Sequence, residues 1–311
     1  MSGDATPKKI AVENVTQMFP GRLGVKVRAV DNVSFTLSSE PATISSLVGA
    51  SGSGKSTLAR MILGLQKPTA GRVTYCGKDI FKLSRRERDQ FRRDVQPVFQ
   101  DPYSIFNPYY RVDRVLWKAI KKFHLVDGKS DAEALIERSL TAVRLKPGEV
   151  LGRYAHQLSG GQRQRLMLAR LHMLQPSFVI ADEPVSMLDA QVRKHFLDIM
   201  IEFQQTYGMT TLFITHDLST VAYVGGDMTT IFKGRLVEQG PVEQVMTRPS
   251  HAYTKLLLAS VPTPDPDQRW TDRVDLSTGE PRMVPGDGPP RIVAGDEEQE
   301  SPASVSSRES R

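Results

Sequence analysis

The stretch GASGSGKST, residues 49–57, limits the folds open to this chain more than any other segment. It follows the apolar run ATISSLVG and precedes TLARMILGL. The spacing fits G-x-x-x-x-G-K-[ST], a loop whose backbone amides cradle phosphates. Gly49, Gly52 and Gly54 let the chain turn its amides inward, with Ala50, Ser51 and Ser53 between them. A helix beginning near Lys55 adds its positive end to the same anion. Lys55 is placed to reach the β- and γ-phosphates and Ser56 to ligate magnesium, while Thr57 bonds phosphate or caps the turn. Such a loop needs a buried strand before it and a helix after it, which predicts an α/β fold built on a phosphate-loop core.

The rest of the chain supplies compatible elements. Residues 10–48 read as short strands, with imperfect alternation in VRAVDNVSFTL. TLARMILGL reads as a helix ended by PTAG, and GRVTYCGKDI as a hairpin strand with its turn. SRRE at 84–87 fits a capping box, and the arginines after it read as a solvated helix face. Residues 112–146 form a helical insertion, after which SFVIAD and TLFITHD are short, apolar and suited to a parallel sheet. DAQVRKHFLDIMIEFQQTYG supplies the crossover helix between them and stops at Gly208.

Polar residues at the ends of these strands suggest chemistry. Asp182 closes SFVIAD and can hold magnesium through its water shell. Glu183 lies one residue further, where it can polarise a water aimed at the γ-phosphorus. Gln100 in VFQDP can touch both the metal and that water. His216 in FITHD can bond the γ-phosphate, although a strand-end histidine is also satisfied by purely structural contacts. Asp217 can orient its neighbours. A second anion-binding segment lies in YAHQLSGGQRQR, residues 154–165. Ser159 offers a hydroxyl, Gly160 and Gly161 offer amides, and Gln162 opens a helix whose positive end faces any bound anion. One nucleotide does not require both loops of one chain. A two-fold dimer resolves the redundancy, each segment covering the nucleotide held by the opposite chain.

Charge and cysteine content narrow the alternatives. From Val261 onward six basic residues face eleven acidic ones, which leaves residues 1–260 at +11 within a total of +6. That excess suits nucleic acid, anionic lipid, a nucleotide or simple solubility, and selects none of them. Cys76 is the single cysteine, so an internal disulfide and a thiolate metal cluster are excluded. No apolar run approaches the roughly 20 residues that span a bilayer, and MSGDATPKK lacks the apolar segment of a secretory leader. The last fifty residues, with eight prolines and the end SPASVSSRES, read as a mostly flexible tail.

Taken together, GASGSGKST, VFQDP, LSGGQ, VIADEP, SMLD and ITHD, in this order across residues 10–245, resemble the ATP-binding cassette family. The resemblance implies a phosphate-loop core with an antiparallel β subdomain and a helical subdomain at about 100–165. The cassette would span 1–245, followed by an extension over 246–262 and a flexible tail over 263–311. It implies ATP and Mg2+ as cofactors, with metal ligands from Ser56, Gln100 and Asp182. Catalysis would fall to Glu183, His216 and Gln100. Ser159, Gly160, Gly161, Gln162 and Asp189 would act on the partner's nucleotide. The family stacks adenine on an early aromatic residue, for which Phe19 is the candidate here.

QDPYSIFNP, YAHQLSGGQRQR, ADEPVSMLD and RPSHAYTKLLLASVP are similar to the oligopeptide and dipeptide importer group, whose relatives also carry oligosaccharides and nickel. Ile105, Phe106 and Met187 depart from that group's pattern without removing a phosphate contact. Some members bind an iron–sulfur cluster through C-terminal cysteines, which this chain lacks. The implied partners are a second cassette subunit (identical or related), two transmembrane permease subunits and an extracytoplasmic solute-binding protein, with no nucleic acid. The implied location is the cytoplasmic face of the cell membrane. An exporter ATPase, or a cassette acting on ribosomes or DNA, is the alternative.

Overall fold

Apolar strands and helix stripes enter two sheets and the helices that cover them. The computed structural model describes residues 7–21, 25–101 and 106–260, together with three short strands between 272 and 293. Strands β1 (Lys9–Pro20) and β2 (Lys26–Ser38) form one long antiparallel hairpin rather than the short strands expected. Register shifts beyond Val12, Val15 and Gln17 account for the imperfect alternation in this region. Almost wholly buried, β3 (Ile44–Val48) leads through the glycine-rich loop into α1 (Lys55–Ile62). That helix ends before PTAG, because the chain turns away at Gly64 with φ 68°. PTAG instead opens β4 (Ala70–Tyr75), and Cys76 and Gly77 turn it back into β5 (Lys78–Asp79). These four strands form an antiparallel sheet in the order β2-β1-β4-β5.

The Ser84 hydroxyl accepts from the Glu87 amide while Glu87 accepts from the Ser84 amide, the capping box that starts α2 (Arg85–Asp94). Only Phe91 and Asp94 of this helix are buried, so its arginines mostly face water. β6 (Val95–Val98) then enters the central sheet. The helical insertion follows as α3 (Arg114–Phe123), α4 (Lys129–Ala142), a short α5 (Pro147–Val150) and α6 (Gly160–Leu174). Helix α6 is continuous across residue 165, so the helical layer and the sheet share it. The remaining core is β7 (Phe178–Asp182), α7 (Ala190–Tyr207), β8 (Thr210–Thr215), α8 (Leu218–Val224), β9 (Asp227–Phe232), β10 (Arg235–Pro241) and α9 (Val242–Thr247). As expected, Gly208 ends α7 in the left-handed region.

The central sheet has the order β10-β9-β3-β8-β7-β6, parallel throughout except for the β9–β10 pair. Its two faces explain the two apolar clusters. One joins Ile10, Val30, Leu58, Ile62 and Ile214 beneath the antiparallel sheet. The other joins Leu116, Leu140, Leu166, Phe196 and Phe203 beneath the helices.

The chain divides into two compact units between Pro249 and Ser250. The second contains α10 (Ala252–Ala259), β11 (Asp272–Asp275), β12 (Arg282–Pro285) and β13 (Ile292–Val293). The strands form a small sheet in the order β12-β11-β13, within the stretch read as a flexible tail. The rest of 263–311 lies outside the described residues.

Phe203 is 1% exposed and meets the rings of His172 and Tyr207. Phe203→Ala should cost about 3–5 kcal/mol of stability, measurable as a lower urea midpoint with unchanged slope.

Candidate nucleotide site

The carboxyl ends of β3, β6, β7 and β8 deliver most of the expected polar groups to one edge of the sheet, where open α/β sheets place ligands. A pocket of about 450 Å³ is lined by Ala29, the loop and first turn of α1, Gln100, Glu183 and His216. Gly54 adopts φ 106°, and a Cβ there would lie 2.3 Å from the Ala29 carbonyl oxygen. A Cβ on Gly49 would lie 2.4 Å from the Ile231 carbonyl oxygen. The loop is therefore pressed against β2 and β9, and side chains at these two positions are excluded. Ser53 Oγ is buried in the same loop without a hydrogen-bond partner. These features, with the α1 N-terminus, fit a bound polyphosphate.

Lys55 is bent over the loop, its amine donating to the carbonyls of Gly49 at 2.7 Å and Ala50 at 2.9 Å. Burial pushes its ammonium below the usual lysine range, against the pull of Glu183 and Asp182. The Ser56 hydroxyl donates to Asp182 Oδ1 at 3.1 Å, so two of the three expected magnesium ligands already touch. Burial pushes the Asp182 carboxyl up, with the neighbouring Glu183 charge adding to it and the Ser56 hydrogen bond opposing it. The Ser56 hydroxyl, which lines the pocket, and the Asp182 carboxylate behind it form an oxygen donor set that fits magnesium, with Gln100 on the pocket wall.

Glu183 follows β7 with φ 50°, its amide donating to the Ile214 carbonyl at 2.9 Å. That unusual backbone aims its carboxylate at His216, whose Nδ1 lies 2.8 Å from Glu183 Oε1. The sequence placed both residues near the γ-phosphate without pairing them. Phe19 does not line this pocket. It stands at the outer end of β1 opposite Val27, 37% exposed, and Ala29 is the early-strand residue that reaches the pocket.

Ser159, Gly160, Gly161, Gln162 and Asp189 are also absent from the pocket lining. Ser159 caps α6, its hydroxyl accepting from the Gln162 amide while Gln162 Oε1 accepts from the Ser159 amide. This box leaves the serine O–H proton free to donate outward. The two glycines differ. A Cβ on Gly160 would meet nothing within 4 Å, whereas one on Gly161 would lie 2.6 Å from Val192 Cγ1. Gly161 is buried and has a packing reason to be glycine, a constraint hidden in the sequence because Val192 is distant along the chain. Asp189 caps α7 by accepting from the Val192 amide at 3.0 Å. Ile105 lies outside the described residues, Phe106 is buried, and Met187 is 65% exposed.

One further residue escaped the sequence reading. Gln164 is 1% exposed on α6, and its Nε2 donates to the Pro184 carbonyl at 2.7 Å and the Phe99 carbonyl at 3.4 Å. It thereby braces the neighbours of both Glu183 and Gln100. Only its place beside the Ser159–Gln162 segment offered a signal.

Fold and site together define a phosphate-loop ATPase whose Ser159–Gln162 segment lies outside the pocket lining. The ABC transporter family pattern matches residues 30–186, and the pattern for the oligopeptide/dipeptide transporter C-terminal region matches residues 237–286. The chain is similar to an oligopeptide transport ATP-binding protein of Streptococcus mutans, 36% identical over 94% of this chain and 96% of that one. A Brucella ovis protein named for peptide import and ATP binding is 39% identical over 78% of this chain and 75% of its own length. Among solved structures, the dimeric ATP-binding cassette MJ0796 bound to ADP and phosphate superposes with a TM-score of 0.65 at 25% identity. That match covers 75% of this chain and 98% of that one. The chain belongs to the ABC transporter family and is one of its ATPases.

The glycine contrast is testable by substitution. Gly160→Ala should leave stability within about 1 kcal/mol of the parent. Gly161→Ala should lose about 1–3 kcal/mol through the clash with Val192. Thermal or urea unfolding of the two variants checks both.

Proposed function

We propose that the chain is the ATP-hydrolysing subunit of a membrane importer, coupling ATP binding, cassette dimer closure and hydrolysis to permease movement. The observation that carries this reading is the incomplete pocket. It has the phosphate loop, Gln100, Glu183 and His216, while Ser159–Gln162 and Asp189 lie outside its lining. A second cassette, identical or related, supplies those groups from its own α6 N-terminus and α7 cap. Gly160 is free of any clash within its own chain, which suits an amide kept open for a partner's phosphate.

Within the site, Lys55 and the loop amides hold the phosphates, and Ser56 and Asp182 hold magnesium, with Gln100 completing the set. The ion, when bound, offsets charge on the phosphate oxygens. Glu183 accepts a proton from the attacking water, and His216 orients the Glu183 carboxylate through the 2.8 Å contact. The site is carried by the cassette of residues 1–245.

An apolar groove of about 1010 Å³ beside Gln100, lined by Leu63, Phe91, Val95, Phe99, Ala119 and Met167, supports docking of a permease segment. Among the described residues no helix is long and apolar enough to cross a membrane. In this reading the subunit attaches to the cytoplasmic face through two permease subunits. The C-terminal pattern and the relatives' names favour oligopeptides, or a related solute such as an oligosaccharide, delivered by a solute-binding protein.

Glu183→Gln in every cassette of the reconstituted transporter should retain ATP binding and slow hydrolysis at least about a hundredfold. Turnover near the parent rate would refute the assigned role. Gly160→Asp, which sets a carboxylate against the incoming phosphate, should spare ATP binding by the isolated subunit and abolish closure. In a mixed pair, the defect should fall at the phosphate loop opposite the altered segment, as read by site-specific nucleotide cross-linking.

A further inference from the structure

We propose that Arg193 is a positioning residue that links the segment meeting the second cassette to the Glu183–His216 pair of its own site. The inference rests on the two-cassette arrangement above. Arg193 lies one turn into α7, and its guanidinium reaches two separate loops. Nη1 donates to Asp217 Oδ2 at 2.8 Å, and Nη2 donates to the Leu188 carbonyl at 3.3 Å. Leu188 stands between Met187, which is 65% exposed, and Asp189, the residue assigned to the partner's nucleotide. Asp217 directly follows His216.

The Asp217 side is stiff. Its carboxylate accepts from the amides and hydroxyls of both Ser219 and Thr220, and its own amide donates to Thr215 Oγ1. Burial opposes ionisation of this carboxyl, yet those hydrogen bonds outweigh it and hold the group below the usual range. A shift of the guanidinium therefore moves the whole turn that carries His216, and with it the contact to Glu183.

Arg193 lies outside the apolar stripe of its own helix. Asp189 already caps α7, and the buried stripe of that helix is formed by Phe196, Leu197, Ile199, Met200 and Phe203. Arg193 does not line the nucleotide pocket, so it acts only through its two neighbours. A planar fork can hold both acceptors at once in a fixed geometry, which a lysine ammonium on a flexible stem cannot. Pressure from a partner on Met187–Asp189 is thus carried through the Leu188 carbonyl, Arg193 and Asp217 to the residues that orient the water.

The test uses the transporter purified with its permease subunits, whose cassette content is measured by native mass. Arg193→Met should lower the hydrolysis rate about tenfold, a typical size for coupling between sites. ATP affinity and the melting temperature should remain those of the parent. Arg193→Lys should recover only part of the rate. Asp217→Asn keeps an oxygen for the amides that Asp217 Oδ1 caps and removes the carboxylate that Arg193 holds. It should also slow hydrolysis, and the double variant Asp217→Asn/Arg193→Met should be no slower than the slower single one, because both remove one contact. Multiplied rate losses in the double variant, an unaffected Arg193→Met, or joint loss of ATP affinity and melting temperature would each overturn the assignment. A single cassette per transporter would instead overturn the two-cassette reading and this inference with it.

Discussion

Parallel pairing of β3 with β8, and of β8 with β7, is the constraint on which the site depends. Val48 lies opposite Thr215 and Asp182 opposite Ile214, so three chain exits leave the sheet side by side. A slip of one residue at either pairing would turn alternate side chains to the other face. Ser56 would then lose Asp182, and Glu183 would lose the Ile214 carbonyl that holds its amide. The apolar clusters on the two faces hold this register because Leu47, Ile180 and Ile214 share one face while Ala181 and Phe213 share the other. The geometry of the pocket is therefore inherited from core packing rather than built by the loops alone.

Where a residue's task depended on its immediate neighbours, the sequence was readable. The phosphate loop, the Ser84 capping box, the Cys76–Gly77 turn and the Gly208 stop all rest on contacts within a few positions. The placement of Asp182 and His216 at strand ends was equally legible, since short apolar runs end where they must. The family pattern joins these local readings over residues 30–186.

What escaped notice came from contacts between distant segments. The length of the first hairpin was hidden because its register shifts break the alternation that reveals a strand. The packing of Val192 against Gly161 joins positions 31 residues apart, so no local pattern announces it. The hairpin's reach likewise brings Ala29 to the pocket wall and leaves Phe19, at the outer end of β1, off its lining. Gln164 and Arg193 carry ordinary polar helix residues in the sequence, and only folding reveals the carbonyls they hold.

The bent posture of Lys55 changes how nucleotide affinity should be understood. Its amine is already satisfied by two carbonyls of the loop it serves. Binding of a phosphate therefore exchanges one set of hydrogen bonds for another, and the net gain is much smaller than the strength of either set. Affinity in this site is a difference between two competing grips, and small movements of the loop carbonyls would tune it in either direction.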